Sequence, residues 1–154
     1  MEIILRAHHV LCIQGFRGKG YSEEFVANFA YIVERLNTHK DTQIELIAGP
    51  DDICRCCPYL GEGGCKRSRN EPEKFSQQID TQVFQRLGLG PGTRLSWTEV
   101  LEQIKARIES KDLVSICWGC PWIFYNYCLI GLRNLKDSPW KTCRLSDRIK
   151  SMRS

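Results

Sequence analysis

A cysteine pattern that occurs twice limits this chain more than any other feature. Ile53-Cys54-x-x-Cys57-Pro58-Tyr59 is followed by five residues and then Cys65, and Ile116-Cys117-x-x-Cys120-Pro121-Trp122 by five residues and then Cys128. Residue types agree at identical spacing, which marks one supersecondary unit used twice, at 53–65 and 116–128. Two thiolates three positions apart can converge on one metal or cluster across a tight turn. Proline fixes its own φ and removes a backbone donor, which helps turn the chain away after the second thiolate. A third thiolate, eight residues on, can return to the same centre. Each copy therefore offers three ligands, whereas structural zinc sites and cubane clusters usually take four.

The chain has nine cysteines, so Cys12, Cys56 and Cys143 remain. Cys56 lies between two ligands of the first copy. The second copy has Gly119 there, so the turn does not require it. The economical assignment puts Cys12, Cys54, Cys57 and Cys65 on one site and Cys117, Cys120, Cys128 and Cys143 on the other. The lone cysteines can also be crossed, a histidine can replace either, or one cluster can bridge both copies. An odd count argues against a disulfide framework. Met1 to Arg6 carries an acid at position 2 and no long apolar stretch, so no export signal is read there. The expected compartment is cytoplasmic and reducing, where clustered cysteines act as metal ligands or reactive thiols.

Iron–sulfur is preferred to zinc. Zinc sites often pair one C-x-x-C with another knuckle or a His pair. Here each site has one C-x-x-C and then scattered singles. Cys-Pro also recurs beside cluster ligands in bacterial ferredoxins. Trp118, Trp122, Phe124, Tyr125 and Tyr127 offer the second segment an apolar shell of the kind that tunes a cluster, or simply a piece of core. The expectation is one or two 4Fe–4S clusters, with zinc as the alternative.

Hydrophobic spacing predicts helices. Ser22 caps one, followed by Phe25, Phe29, Ile32, Val33 and Leu36 on a single stripe. Asn70-Glu71-Pro72 reads as a helix start, with Phe75, Ile79, Val83 and Leu87 on its face. Ser96 and Glu99 form a capping box ahead of Trp97, Val100, Leu101, Ile104 and Ile108. Ile44 to Ala48, before Gly49-Pro50, reads as a strand. The predicted class is mainly α, or α+β with a small sheet. It is a compact helical domain over 1–154 with two cysteine-rich metal-binding loops. The formal charge of +4 assumes neutral thiols. Two filled four-cysteine sites would each add about −2, so the basic balance does not point to nucleic acid.

Other features carry weaker expectations. Adjacent His8 and His9 in a strand would point to opposite faces, so only one would reach a site. Arg17 to Gly20 reads as a turn, with an anion cradle as the alternative. Asp51 and Asp52 read as a turn pair that caps the next segment, or as metal-linked acids. Leu113 to Leu132 lacks charge and is long enough to span a bilayer, but Pro121, Asn126 and the cysteines favour a buried lobe and no membrane. The tail from Lys136 to Ser154 is basic and reads as a solvated face.

Arg6-Ala7-His8-His9-Val10-Leu11-Cys12, Phe16-Arg17-Gly18-Lys19-Gly20-Tyr21-Ser22, and Asp51-Asp52-Ile53-Cys54-x-x-Cys57-Pro58 with Cys65 together resemble a small prokaryotic family. It is the domain of unknown function numbered twelve eighty-four. The resemblance runs from about residue 3 to about residue 130. It implies an iron–sulfur protein, most clearly through Cys12, Cys54, Cys57 and Cys65, and it implies no particular reaction. The expected role is redox or electron transfer with a partner oxidoreductase. The alternatives are a zinc-stabilised module contacting nucleic acid or protein, and an enzyme using the metal or Cys56. No Ser-His-Asp set, nucleotide loop or carboxylate dyad names a substrate.

Overall fold

A computed structural model describes residues 2–66, 73–117 and 127–137. In chain order these form β1 (Glu2–Arg6), α1 (His9–Gly15), α2 (Glu23–Thr38) and β2 (Gln43–Ile47). A single 3₁₀ turn at Cys54–Cys56 follows, then a short hairpin of β3 (Leu60–Gly61) and β4 (Gly64–Cys65). The rest is α3 (Lys74–Leu87), β5 (Arg94–Ser96), α4 (Trp97–Arg107), α5 (Ser110–Ile116) and α6 (Tyr127–Asp137). The architecture is mainly helical α+β. β2 lies between β1 and β5, parallel to the first and antiparallel to the second.

The parallel pair explains where chemistry can gather. Ile3 and Leu5 align with Ile44 and Leu46, and all four are buried. A parallel pair needs a crossover, and α1 and α2 supply it. Both strands therefore release their following segments at the same end. β1 leads into His8, His9 and Cys12, and β2 leads into Asp51 and the Cys54 turn. The crevice outside the carboxyl ends of parallel strands is the usual ligand position in open α/β sheets.

The helices form largely where periodicity placed them. The Ser22 side chain accepts from Phe25 N at 3.1 Å and caps α2. Phe25, Phe29, Ile32 and Leu36 are buried on its inner stripe. Ile79, Val83 and Leu87 bury the face of α3, which ends at Gly88 in the left-handed region, φ +67°. Such a C-terminal residue favours glycine. Residues 70–72 lie outside the described residues, and α3 begins at Lys74. The Ser96–Glu99 capping box is formed, and Trp97 of α4 is fully buried.

α1 and α6 cross closely. A Cβ on Gly131 would lie 1.9 Å from Gln14 O, and one on Gly15 would lie 2.8 Å from Cys128 Sγ. Only glycine permits that approach, and it seats Cys128 at the crossing.

The uncharged stretch from Leu113 to Leu132 is divided at its described ends between α5, ending at Ile116, and α6, starting at Tyr127. No described helix is long and apolar enough to cross a membrane. Trp118, Trp122, Phe124 and Tyr125 lie outside the described residues, as does the tail after Asp137. Lys136 Nζ donates to Glu109 at 3.0 Å and to Lys105 O at 3.2 Å.

Candidate metal centre

At the carboxyl end of the parallel pair lies a cavity of about 50 Å³. One water needs about 10–15 Å³, so the cavity has room for several. Five thiols line it: Cys12, Cys54, Cys57, Cys65 and Cys117. They arrive from four places. Cys12 comes from α1, Cys54 and Cys57 from the 3₁₀ turn, Cys65 from β4, and Cys117 from the C-terminal cap of α5. No disulfide joins any two of the seven described cysteines. Phe25 and Phe29 of α2, with Tyr21 and Tyr59, make the apolar wall.

The four cysteines expected at the first site thus share one cavity. Of the four expected at the second, Cys117 and Cys128 are among the described residues. Cys117 lines the first cavity, while Cys128 sits in α6 against α1. Cys120 and Cys143 lie outside the described residues. Cys65 is in a strand and Cys128 in a helix, so the sequence repeat continues into different local structure. Cys56 is exposed on the turn.

Both histidines face this cavity, unlike the expectation for a strand. The chain leaves β1 at Arg6 and begins a helix at His9, so the two rings stand side by side, 4.6 Å apart. Each is held by a buried carboxylate. His9 Nδ1 is 2.7 Å from Asp51 Oδ2, and His8 Nδ1 is 2.7 Å from Asp80 Oδ1. Carboxylate-backed imidazoles with one ring nitrogen left over are common at metal sites. Asp51 also accepts from Arg6 N at 2.7 Å and from Cys54 N at 2.9 Å, so it caps the cysteine turn as the sequence reading anticipated. Asp52 accepts from Ile4 N at 2.8 Å and extends the join between this loop and β1.

A buried ionic network supports the cavity from below. The Arg6 guanidinium donates to Glu73 at 2.8 and 3.0 Å and to Asp80 at 2.8 and 3.0 Å. Glu73 in turn accepts from Cys65 N at 3.2 Å, and its own N–H donates to Cys65 O at 2.5 Å. Glu73 has φ +68°. That is an unusual conformation for a residue with a side chain, and such strain persists only where surrounding contacts impose it. Arg6 and Glu73 thereby fix the hairpin that carries Cys65. The network escaped sequence reasoning. Its one visible signal is Asp80, a carboxylate beside Ile79 on the apolar face of α3.

Electrostatics follow from this burial. Burial alone would raise the carboxyl of Asp80, but the His8 hydrogen bond and the Arg6 charge outweigh it and hold it below the usual range. Asp51 behaves likewise, kept ionised by His9, Arg6 N and Cys54 N against the effect of burial. Burial, with a smaller contribution from His9, lowers His8 to about 4, so it is neutral at pH 7. Burial and then the Asp51 charge push the Cys54 thiol well up. A bound cation inverts that preference and releases the proton.

The donor set fits a thiolate-bound metal group. Thiolates on one tetrahedral zinc, about 2.3 Å from the metal, lie about 3.8 Å apart. Among the described residues, the trio of donor atoms mutually within 4.8 Å is one from His9, one from Asp51 and Cys54 Sγ. No three described thiols are that close. The Arg17–Gly20 turn is a weak anion cradle, because Glu23 and Glu24 already occupy the first turn of α2.

A family model described as protein of unknown function (DUF1284) matches residues 20–128. The matched span contains Cys54, Cys57, Cys65 and Cys117 and leaves out Cys12 and Cys143. No curated protein and no solved structure matches the chain.

Proposed function

The chain belongs to the DUF1284 family of unknown function, and we propose that it is an iron–sulfur protein serving in electron transfer, with its cluster in the cysteine-lined cavity. The observation that carries this reading is the convergence of five thiols from four separate elements on one cavity. When bound there, a cubane cluster supplies a one-electron couple. Cys54, Cys57 and Cys65 would hold it, with the fourth ligand drawn from Cys12 or Cys117. Asp51 orders the Cys54 turn by accepting its N–H. Glu73 orders Cys65 through both of its backbone groups. Phe25 and Phe29 exclude water from one wall, which tunes a cluster's potential.

A dye-mediated redox titration of anaerobically purified protein tests the function. The expected result is one reversible couple with bleaching of visible absorption on reduction. Protein that binds metal but shows no couple would refute electron transfer.

One observation favours a zinc centre instead, namely the close trio of His9, Asp51 and Cys54. Against it, Asp51 already accepts three hydrogen bonds, from Arg6 N, His9 and Cys54 N. It serves as a holder of His9 and of the turn better than as a metal ligand.

A further inference from the structure

We infer that both copies of the cysteine repeat serve one centre, and that Cys117 of the second copy is its fourth thiolate ligand beside Cys54, Cys57 and Cys65. The inference rests on the cluster reading and names the ligand set of that same site.

Three observations lead to it. Cys117 lines the cavity of the first copy. Cys128, the third cysteine of the same copy, is committed to the α1–α6 crossing, where Gly15 leaves just enough space for it. Cys128 does not line the cavity that Cys117 lines. Cys117 also holds the position in its motif that Cys54 holds in the first. It stands at the end of α5, where its N–H bonds Leu113 O at 2.9 Å and the chain leaves the helix. A ligand at a helix terminus is well fixed, because the preceding turns are rigid.

Cys12 is the rival for the fourth position, since it lines the same cavity. The repeat favours Cys117, which stands where Cys54 stands in the first copy, and Cys117 is buried like Cys54 whereas Cys12 is half-buried. A shared centre has a structural consequence too. It ties α5 to the turn and hairpin across more than fifty residues of sequence, so metal binding should brace the second half of the chain against the first.

The test compares wild-type protein with Cys117→Ala, Cys117→Ser, Cys12→Ser and Cys128→Ser, all full length and purified anaerobically. Iron, acid-labile sulfide and far-ultraviolet circular dichroism are read for each. About four irons and four sulfides are expected in the wild type, the content of one cubane. Both Cys117 variants should lose at least three quarters of that content, and Cys12→Ser and Cys128→Ser should keep most of it. About eight irons in the wild type, full occupancy in either Cys117 variant, or loss confined to Cys12→Ser would overturn the inference and leave the cluster reading standing. Wild-type protein with neither iron nor sulfide would overturn the cluster reading itself. The wild-type count does not depend on whether any variant folds. Amide exchange on wild-type protein adds a second readout, in which removing the metal with a chelator should deprotect α5. Equal protection with and without metal would count against the shared centre.

Discussion

Asp80→Asn is the sharpest perturbation of the scaffold beneath the cavity. The Asp80 carboxylate is fully buried and accepts four hydrogen bonds. Two come from Arg6 Nε and Nη2 at 3.0 and 2.8 Å, and two from His8 N and Nδ1 at 3.0 and 2.7 Å. An asparagine has one oxygen, so its amide must face either the guanidinium or His8. Either way two donors meet a donor and the negative charge is gone. Hydrogen bonds to charged groups contribute about 1.5–3 kcal/mol each, and breaking a buried ion pair costs about 3–5 kcal/mol. Glu73 still pairs with Arg6 through two bonds, which puts the expected loss near the lower end, about 3 kcal/mol. Urea denaturation is the assay. With a slope of about 2 kcal/mol/M, the midpoint should fall by about 1.5 M at unchanged slope. Arg6→Met combined with Asp80→Asn should cost less than the sum of the two single changes, because they share one interaction. A loss under about 1 kcal/mol for Asp80→Asn, or strict additivity in the double variant, would refute the claim that this network carries the site.

Three further outcomes follow from the same geometry. His8 has a depressed pKa of about 4 in the folded chain against about 6.5 when unfolded. The unfolded state therefore binds more protons in that window, and metal-free protein should lose about 3 kcal/mol of stability as pH falls from 6.5 to 4. His8→Gln should flatten that slope, and an equally steep slope in the variant would show that another group is responsible. Gly131→Ala should force α1 and α6 apart, since its Cβ would meet Gln14 O at 1.9 Å. The expected cost is about 3 kcal/mol, or a fall of about 10 °C in Tm by calorimetry. Asp112 caps α5 by accepting from Glu109 N at 2.9 Å, and that bond, with Arg86, holds its carboxyl below the usual range. Asp112→Ala should cost about 1 kcal/mol at neutral pH. The difference from wild type should shrink as the pH falls from the ordinary carboxyl pKa of about 3.9 down through the lower value of the folded chain.

Local features were legible in the sequence because local physics decides them. The Phe25–Phe29–Ile32–Leu36 stripe, the Ser96–Glu99 box and the Gln43–Ile47 strand each declare themselves within a dozen residues. The cysteine turn was legible for the same reason, since Cys54, Cys57 and the Asp51 cap lie within one loop. The opening segment was misread at His8 and His9. The mostly apolar opening from Met1 to Phe16 fits either a strand or a helix, and the change from β1 to α1 has no Gly or Pro to mark it. What lay out of reach depends on contacts across the chain. Arg6 meets Asp80 and Glu73 over separations of 74 and 67 residues. The entry of Cys117 into the first copy's cavity depends on the path of α5, which no pattern near Cys117 encodes. A repeat in sequence implies like ligands, but the packing of the flanking helices decides whether two copies build two sites or one.

The most direct test of the central claim is the iron, acid-labile sulfide and zinc content of anaerobically purified wild-type protein, read with its visible spectrum. One cluster in the cavity would give a brown protein with about four irons and four sulfides per chain and no stoichiometric zinc. A colourless protein carrying zinc, or one with no metal at all, would contradict it.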